Sequence, residues 1–397
     1  MSILFCGILL SGSVLQAHGV IAKVGETLPD WSEGYLDIHA INTARGECTF
    51  FILPDGTTMV VDAGEFIHQS KKMKNDAQRP NEFTRPADTY ANYIRHFSPR
   101  KDSVDYFMLS HYHMDHMGQL EPEYSLSPNG DYIESGLTAL YDRIPFRMVI
   151  DRAYPDIDAI PVIARSEKSL ANYRKFLNTH IARGSIKAEA IKLGSDDQIV
   201  LNYNPTAYPD CKITNLCANG KVWKNNGIVN CYPNGNLREN GASCGFLLKY
   251  GDFDYLTAGD LNGGEIDTQS TLAEAVGREI EATKSNHHLS PKTMNERTME
   301  LLNPQVMVTQ SFYVREIQPD QSIIQQIAKT GTKQYFTNID QSLLDANPDA
   351  YKGCTRIGGH VVIRVAPGGA EYYVIMLDDT DNSYRVKSID GPFKCKK

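Results

Sequence analysis

Within the stretch Ser110-His111-Tyr112-His113-Met114-Asp115-His116-Met117-Gly118 the chain gathers three imidazoles and a carboxylate. They follow directly on Val104-Asp105-Tyr106-Phe107-Met108-Leu109, an apolar and aromatic run that reads as a buried strand. In extended chain, residues i and i+2 point the same way, so His111 and His113 can face one ion together. Asp115 and His116 come after the chain has begun to turn, which Gly118 permits, and they face a second position nearby. Imidazole suits zinc and other borderline cations, while a carboxylate adds charge and admits harder ions such as manganese. The competing reading is a surface histidine cluster or a helix cap that carries histidines. Chance rarely supplies these ligands in this order after an apolar strand.

The elements that must hold these residues are strand-rich. Tyr35 to Asn42 alternates as a strand, and Cys48 to Leu53 and Thr58 to Gly64 flank Pro54-Asp55-Gly56 as a hairpin ending on Asp62-Ala63-Gly64. Residues 65 to 104 are rich in Lys and Arg, with helical character from Ala87 to Phe97; they read as a solvated face or as an electropositive rim for an anionic substrate. Further helices are expected over Tyr132 to Asp142 and Ser166 to Ile181, with His180 an ordinary surface residue. A second hairpin, Ser243 to Tyr250 and Phe253 to Asp260, ends on an acid beside a glycine as the first one did. His287 and His288 then precede a helix expected to open at Ser290-Pro291 and run to Leu302, and a last hairpin joins His360–Val365 to Glu371–Met376. His360 reads as structural. Two hairpin-rich halves, each followed by helices, predict two mixed sheets with helices outside.

The formal net charge of -8 and pI near 5.8 exclude coating of nucleic acid by bulk electrostatics. Residues 1 to 17 are apolar and end on Gln16-Ala17, the pattern of a secretory signal peptide, although no Lys or Arg precedes the apolar stretch; the alternative is a buried N-terminal strand or helix. No other stretch is apolar enough for stable membrane insertion. The remaining residues, 18 to 397, then form a single domain with insertions at about 65–104 and 152–243. Cys211, Cys217, Cys231 and Cys244 fall in a stretch of Asn, Gly, Lys and Pro with little core-forming power, where disulfides in an oxidising compartment are expected. A zinc knuckle is the competitor there. Cys354 with Cys395 could staple the C-terminus, leaving Cys48 as a buried thiol.

His111-x-His113-x-Asp115-His116, with Asp62-Ala63-Gly64 upstream, Gly259-Asp260 downstream and the later His287-His288, resembles the metallo-beta-lactamase superfamily. The finer likeness is to the hydrolase domain of DNA-uptake (ComEC-like) proteins, on Gly46-Glu47-Cys48-Thr49 and His287-His288-Leu289-Ser290; phosphorylcholine esterases of the superfamily carry a similar set. The resemblance runs from about Tyr35 to Ile389. It implies an α/β (α+β) class αββα sandwich and two divalent ions, zinc or alternatively manganese. His111 and His113 would hold the first ion, Asp115 and His116 the second, and Asp260 would bridge them. His288 would complete the second set, with His287 in the outer shell or touching the leaving group. Asp115 would also orient a metal-bridging hydroxide. Many relatives supply a further histidine to the first ion, but none lies between His180 and His287 here, and Glu239-Asn240-Gly241-Ala242-Ser243 stands in its place.

The expected activity is that of a secreted or periplasmic hydrolase of phosphodiester-type bonds in a small or oligomeric anionic substrate. Hydrolysis of carboxylic esters, lactones or lactams is the alternative, and a non-catalytic binding protein on the same scaffold is the third reading.

Overall fold

Alternation along the strands decides the architecture. In Thr49–Ile52, Phe50 and Ile52 point to one side, where they meet Tyr90, Ile94, Leu137 and Leu140 of the helices Pro86–Phe97 and Leu137–Arg143. Phe51 points to the other side, into a core shared with Phe246, Leu248 and Tyr255 of a second sheet. That second sheet repeats the pattern: Leu247 and Leu256 face outward against Leu272 and Ala273 of the helix Thr268–Val276. Both sheets are thus buried on both faces, which is why their strands carry apolar residues at successive positions.

The computed structural model describes residues 21–67, 69–70, 73–262, 266–313 and 318–396. The first sheet runs, in spatial order, Val386–Lys394, Glu371–Leu377, His360–Val365, Leu36–Ala40, Thr49–Ile52, Thr58–Val61, Val104–Met108, Phe146–Asp151 and Lys187–Ala190. The second runs Gly227–Asn230, Lys221–Lys224, Cys211–Ala218, Gly245–Tyr250, Phe253–Thr257, Ala282–Lys284, Val306–Thr309, Lys333–Phe336 and Cys354–Ile357. Each sheet is antiparallel at one end and parallel at the other. The change occurs at Thr58–Val61 in the first and at Phe253–Thr257 in the second. These are the strands that lead into Asp62 and Asp260, so the two acids stand where each sheet changes direction, beyond the strands' carboxyl ends. Two mixed sheets with helices outside agree with the expected αββα sandwich of the α/β class.

Several local expectations are corrected. The cysteine-bearing stretch is not a coreless loop: Cys211–Ala218 pairs along the whole of Gly245–Tyr250, burying Ile213 and Leu216, and Lys221–Lys224 and Gly227–Asn230 extend the sheet. Ladder hydrogen bonds and apolar burial do the work assigned to disulfides, and Cys48, Cys211, Cys217, Cys231, Cys244, Cys354 and Cys395 are all free thiols. His180 is buried, its ring against Tyr141 and Phe176, with Tyr132 Oη 2.9 Å from Nε2 and Ser185 Oγ 2.9 Å from Nδ1. The helix after the paired histidines opens later than expected, at Glu296 with Asn295 as its cap, because the chain first makes a left-handed turn. The signal-peptide stretch 1–17 lies outside the described residues. Among the described residues no helix is long and apolar enough to cross a membrane.

His360 is structural, as expected. It is buried and its Nδ1 accepts the Asn42 N–H at 3.0 Å; burial, with His39 adding to it, pushes its pKa from 6.5 to about 3. The unfolded chain therefore takes up a proton that the native state refuses. Stability is fully present above pH 6.5 and falls as pH drops toward 3, by about 1.4 kcal/mol per unit from this group. Urea denaturation at pH 7 and pH 5 should show that loss, and a smaller one in His360→Gln.

Candidate metal centre

Three loops are stitched together beneath the histidine motif. Glu47 N–H donates to the Asp115 carbonyl at 2.9 Å, Gly64 N–H to the Glu47 carbonyl at 2.9 Å, and Ala63 N–H to the His116 carbonyl at 2.9 Å. The approach at Gly64 excludes any side chain: a Cβ there would lie 1.9 Å from the Asp115 carbonyl oxygen. Gly64→Ala should therefore shift the Asp115 backbone and cost at least about 1–3 kcal/mol, read as a lower thermal midpoint. His111 and His113 lie on extended chain after Val104–Met108, and His113 caps the single helical turn Met114–Met117, which Gly118 ends at φ 109°. That turn swings Asp115 and His116 to the second position.

The imidazoles are locked by their outward nitrogens. Asp62, itself at φ 61°, accepts from Ser110 N–H at 2.8 Å, from Ser110 Oγ–H at 2.7 Å and from His116 Nδ1–H at 2.8 Å. With its hydrogen committed to Asp62, Ser110 Oγ accepts from His111 Nδ1 at 3.0 Å. His113 Nε2–H donates to the Ala164 carbonyl at 2.9 Å. His288 Nδ1 faces two acceptors, Glu47 Oε1 at 3.0 Å and the Gln310 carbonyl at 3.1 Å. An outward N–H on each ring leaves the inward nitrogen free as a ligand.

Three of those inward nitrogens converge on Asp260. His116 Nε2 and His288 Nε2 each lie 3.3 Å from Asp260 Oδ2, and His111 Nε2 lies 3.8 Å from it. Asp115 Oδ2 is 3.3 Å from His288 Nε2, and the Tyr313 hydroxyl donates to it at 3.3 Å. His113 Nδ1 is 3.1 Å from His111 Nε2. The side chains group at two corners, His111 beside His113, and Asp115 and His116 beside His288, while Asp260 Oδ2 faces His111, His116 and His288.

The electrostatics fit a cation. Burial opposes charge on His116, yet Asp260, Asp62 and Asp115 outweigh it and hold that imidazole well above the ordinary range; Asp260 and Glu47 do the same for His288. Burial would raise Asp260, but His288, His116 and His287 hold it far below the usual carboxylate range. His116 Nε2, His288 Nε2 and Asp260 Oδ1 are buried without a hydrogen-bond partner. A field that retains protons on two buried imidazoles favours a divalent ion for the same reason, and ligand atoms of Glu47, His116, Asp260 and His288 all lie within 4.8 Å of one another.

His287 stands apart. Burial lowers its pKa to about 4; Ser290 Oγ lies 2.6 Å from its Nδ1, and the Asn240 amide lies 3.1 Å from Nε2. Its Nε2 is 3.8 Å from Asp260 Oδ2. His287, His288 and Leu289 sit consecutively at φ 46°, 52° and 57°, a left-handed run that costs on the order of 1–2 kcal/mol per residue. Such strain, held in place by its surroundings, clusters at functional sites. It presents adjacent imidazoles to different surroundings.

Sequence reasoning gave no site role to Glu47, Lys284, Glu239 or Asp62. The only local signals were Glu47 beside a glycine and Asp62 at a strand end. Of the two readings of residues 65–104, a solvated face or an electropositive rim, the rim loses four of its arginines to internal partners: Arg85 to Glu65 at 2.9 Å, Arg79 to Asp379 at 3.6 Å, Arg95 to the Arg143 carbonyl at 2.6 Å and Arg100 to the Gly56 carbonyl at 2.6 Å.

No protein-family model matches the chain, and no curated protein matches it. Among solved structures it is similar to a mutant of the CmlA beta-hydroxylase, at 12% identity and a TM-score of 0.40 over 85% of this chain and 55% of that one. It is also similar to zinc-bound PqqB from Methylobacterium extorquens, at 15% identity and 0.35 over 80% and 87% of the two chains. Unliganded yeast PDE1 follows at 9% identity and 0.33 over 83% and 99%. The chain spans about half the length of the first of these, 55%. Similarity at this level bears on neither family nor activity.

Proposed function

We propose that the chain is a divalent-metal-dependent hydrolase of the metallo-beta-lactamase superfamily, acting on phosphodiester-type bonds. The observation that carries the reading is the convergence of His111, His116 and His288 on Asp260, each with its outward nitrogen fixed by a separate acceptor. His111 and His113 would hold a first ion, Asp115, His116 and His288 a second, and Asp260 both; zinc fits the imidazole-rich set, and manganese is the alternative. Ions held there supply Lewis acidity and activate water for attack.

The protein's own groups divide the remaining work. Asp115 accepts from the Tyr313 hydroxyl and would orient the attacking water. The Asn240 amide lies 3.1 Å from His287 Nε2, itself 3.8 Å from Asp260 Oδ2, so a substrate oxygen or leaving group beside Asp260 can meet an amide and a neutral imidazole. Asn240 stands where many members of the resembled superfamily have a third histidine, and the preference for phosphodiester-type bonds over acyl ones rests on that likeness to the ComEC-like branch.

The test is a panel of bis-p-nitrophenyl phosphate, a single-stranded oligonucleotide, p-nitrophenyl acetate, a lactone and nitrocefin. It is run on the full chain with zinc and then manganese. The diester should be hydrolysed fastest, with activity lost to chelator. Faster acetate, lactone or nitrocefin turnover would reverse the substrate assignment, and no turnover by the metal-loaded protein would favour a binding scaffold.

A further inference from the structure

Behind the second corner lies a buried ion pair whose lysine none of the chemistry above uses. Lys284, at the end of Ala282–Lys284, is only 4% exposed, and Glu47 only 2%. The ammonium donates to Glu47 Oε1 at 2.8 Å, to the Gly259 carbonyl at 3.0 Å and to the Ser285 carbonyl at 2.9 Å. All three of its hydrogens are thereby used. Each acceptor belongs to a segment carrying part of the second corner: Gly259 precedes Asp260, Ser285 begins the approach to the His287-His288 turn, and Glu47 faces His288 Nδ1 at 3.0 Å.

Glu47 could itself be a ligand, since its carboxylate lies within 4.8 Å of the ligand atoms of His116, Asp260 and His288. Its position argues otherwise. It meets His288 at Nδ1 and approaches His116 also at Nδ1, at 3.9 Å, whereas both rings turn Nε2 toward Asp260. The carboxylate therefore lies behind the two imidazoles, on the side away from Asp260, and it already carries an ammonium.

We propose that Lys284 and Glu47 act as one positioning pair for the second metal: Glu47 fixes His288 with Nε2 free to bind, and Lys284 holds Glu47, the Asp260 turn and the His288 turn in one frame. The inference rests on the metal reading above. Carboxylates that hold the far nitrogen of a ligating histidine typically change metal affinity 10- to 100-fold when removed. Breaking one partner of a buried pair leaves an uncompensated charge, whereas removing both charges does not.

Cobalt(II) serves as the probe, because its visible absorption reports ligand number and its titration reports affinity without any turnover. The metal-free full chain, Glu47→Gln, Lys284→Met and the double variant are titrated, with thermal unfolding of each metal-free protein as a check on folding. The wild type should bind two ions. Each folded variant should bind the second ion about 10- to 100-fold more weakly with an altered spectrum and keep the first, and the double variant should be no worse than the poorer single one. The neutral double variant keeps the test open if a single one fails to fold. Second-ion affinity within threefold of wild type in the folded variants would overturn the pair's role while leaving the metal reading intact. A wild type that binds no cobalt would overturn both.

Discussion

Replacing Asp260 by Asn should lower metal-dependent turnover on the order of 10³-fold, equivalent to about 4 kcal/mol of transition-state stabilisation. Asp260 Oδ2 lies 3.3 Å from the Nε2 atoms of His116 and His288 and 3.8 Å from those of His111 and His287, so this carboxylate faces four of the imidazoles. Its backbone is fixed independently: Gly259 takes φ 51°, and Asp260 N–H donates to Ser243 Oγ at 3.1 Å. The amide keeps the shape and removes the charge. The substitution should therefore leave the fold in place while weakening the hold on both ions. Measuring kcat/KM together with bound ions per chain checks this, and unchanged turnover at full metal loading would refute the role given to Asp260.

The second large effect lies under the first corner. Arg152 and Glu239 are completely buried; Arg152 Nε and Nη2 meet the Glu239 carboxylate at 2.9 and 3.1 Å. The same carboxylate accepts Tyr112 N–H at 2.8 Å, and the guanidinium lies 4.2 Å over the Tyr112 ring. Tyr112 separates His111 from His113, and Glu239 precedes Asn240, so this pair clamps the histidine strand to the loop that faces it. Glu239→Ala leaves a buried, unpaired guanidinium and should cost about 3–5 kcal/mol in urea denaturation. Arg152→Met combined with Glu239→Gln should cost distinctly less, because no lone charge remains. A loss below about 1 kcal/mol in the single variant would show that the clamp contributes little.

How much of this was legible depends on how local the signal is. His111 to His116 announced a metal site because its ligands share one strand and one turn. Asp260 and His288 are far away in sequence and entered only through the resemblance; no local pattern says that two strand ends meet. Glu47, Asp62 and Glu239 were invisible as partners, since a buried acid that orients a ring reads the same as a surface acid. The sandwich was legible because apolar runs mark the central strands and turn residues separate them. Residues 211–244 misled through composition: Asn, Gly and Lys suggested loops, yet Cys211–Ala218 finds its partner in Gly245–Tyr250, beyond the reach of any local window. His180 could have been read correctly, for Tyr173, Phe176 and Leu177 share its helix face at spacings of seven, four and three.

The most direct test of the central claim is equilibrium dialysis of the metal-free full chain against buffered zinc, with zinc and protein quantified together. A two-metal centre requires two ions per chain for the wild type, with binding lost at the second position in His288→Ala and at the first in a chain lacking both His111 and His113. Binding of no zinc, or the same binding in all of these variants, would contradict it.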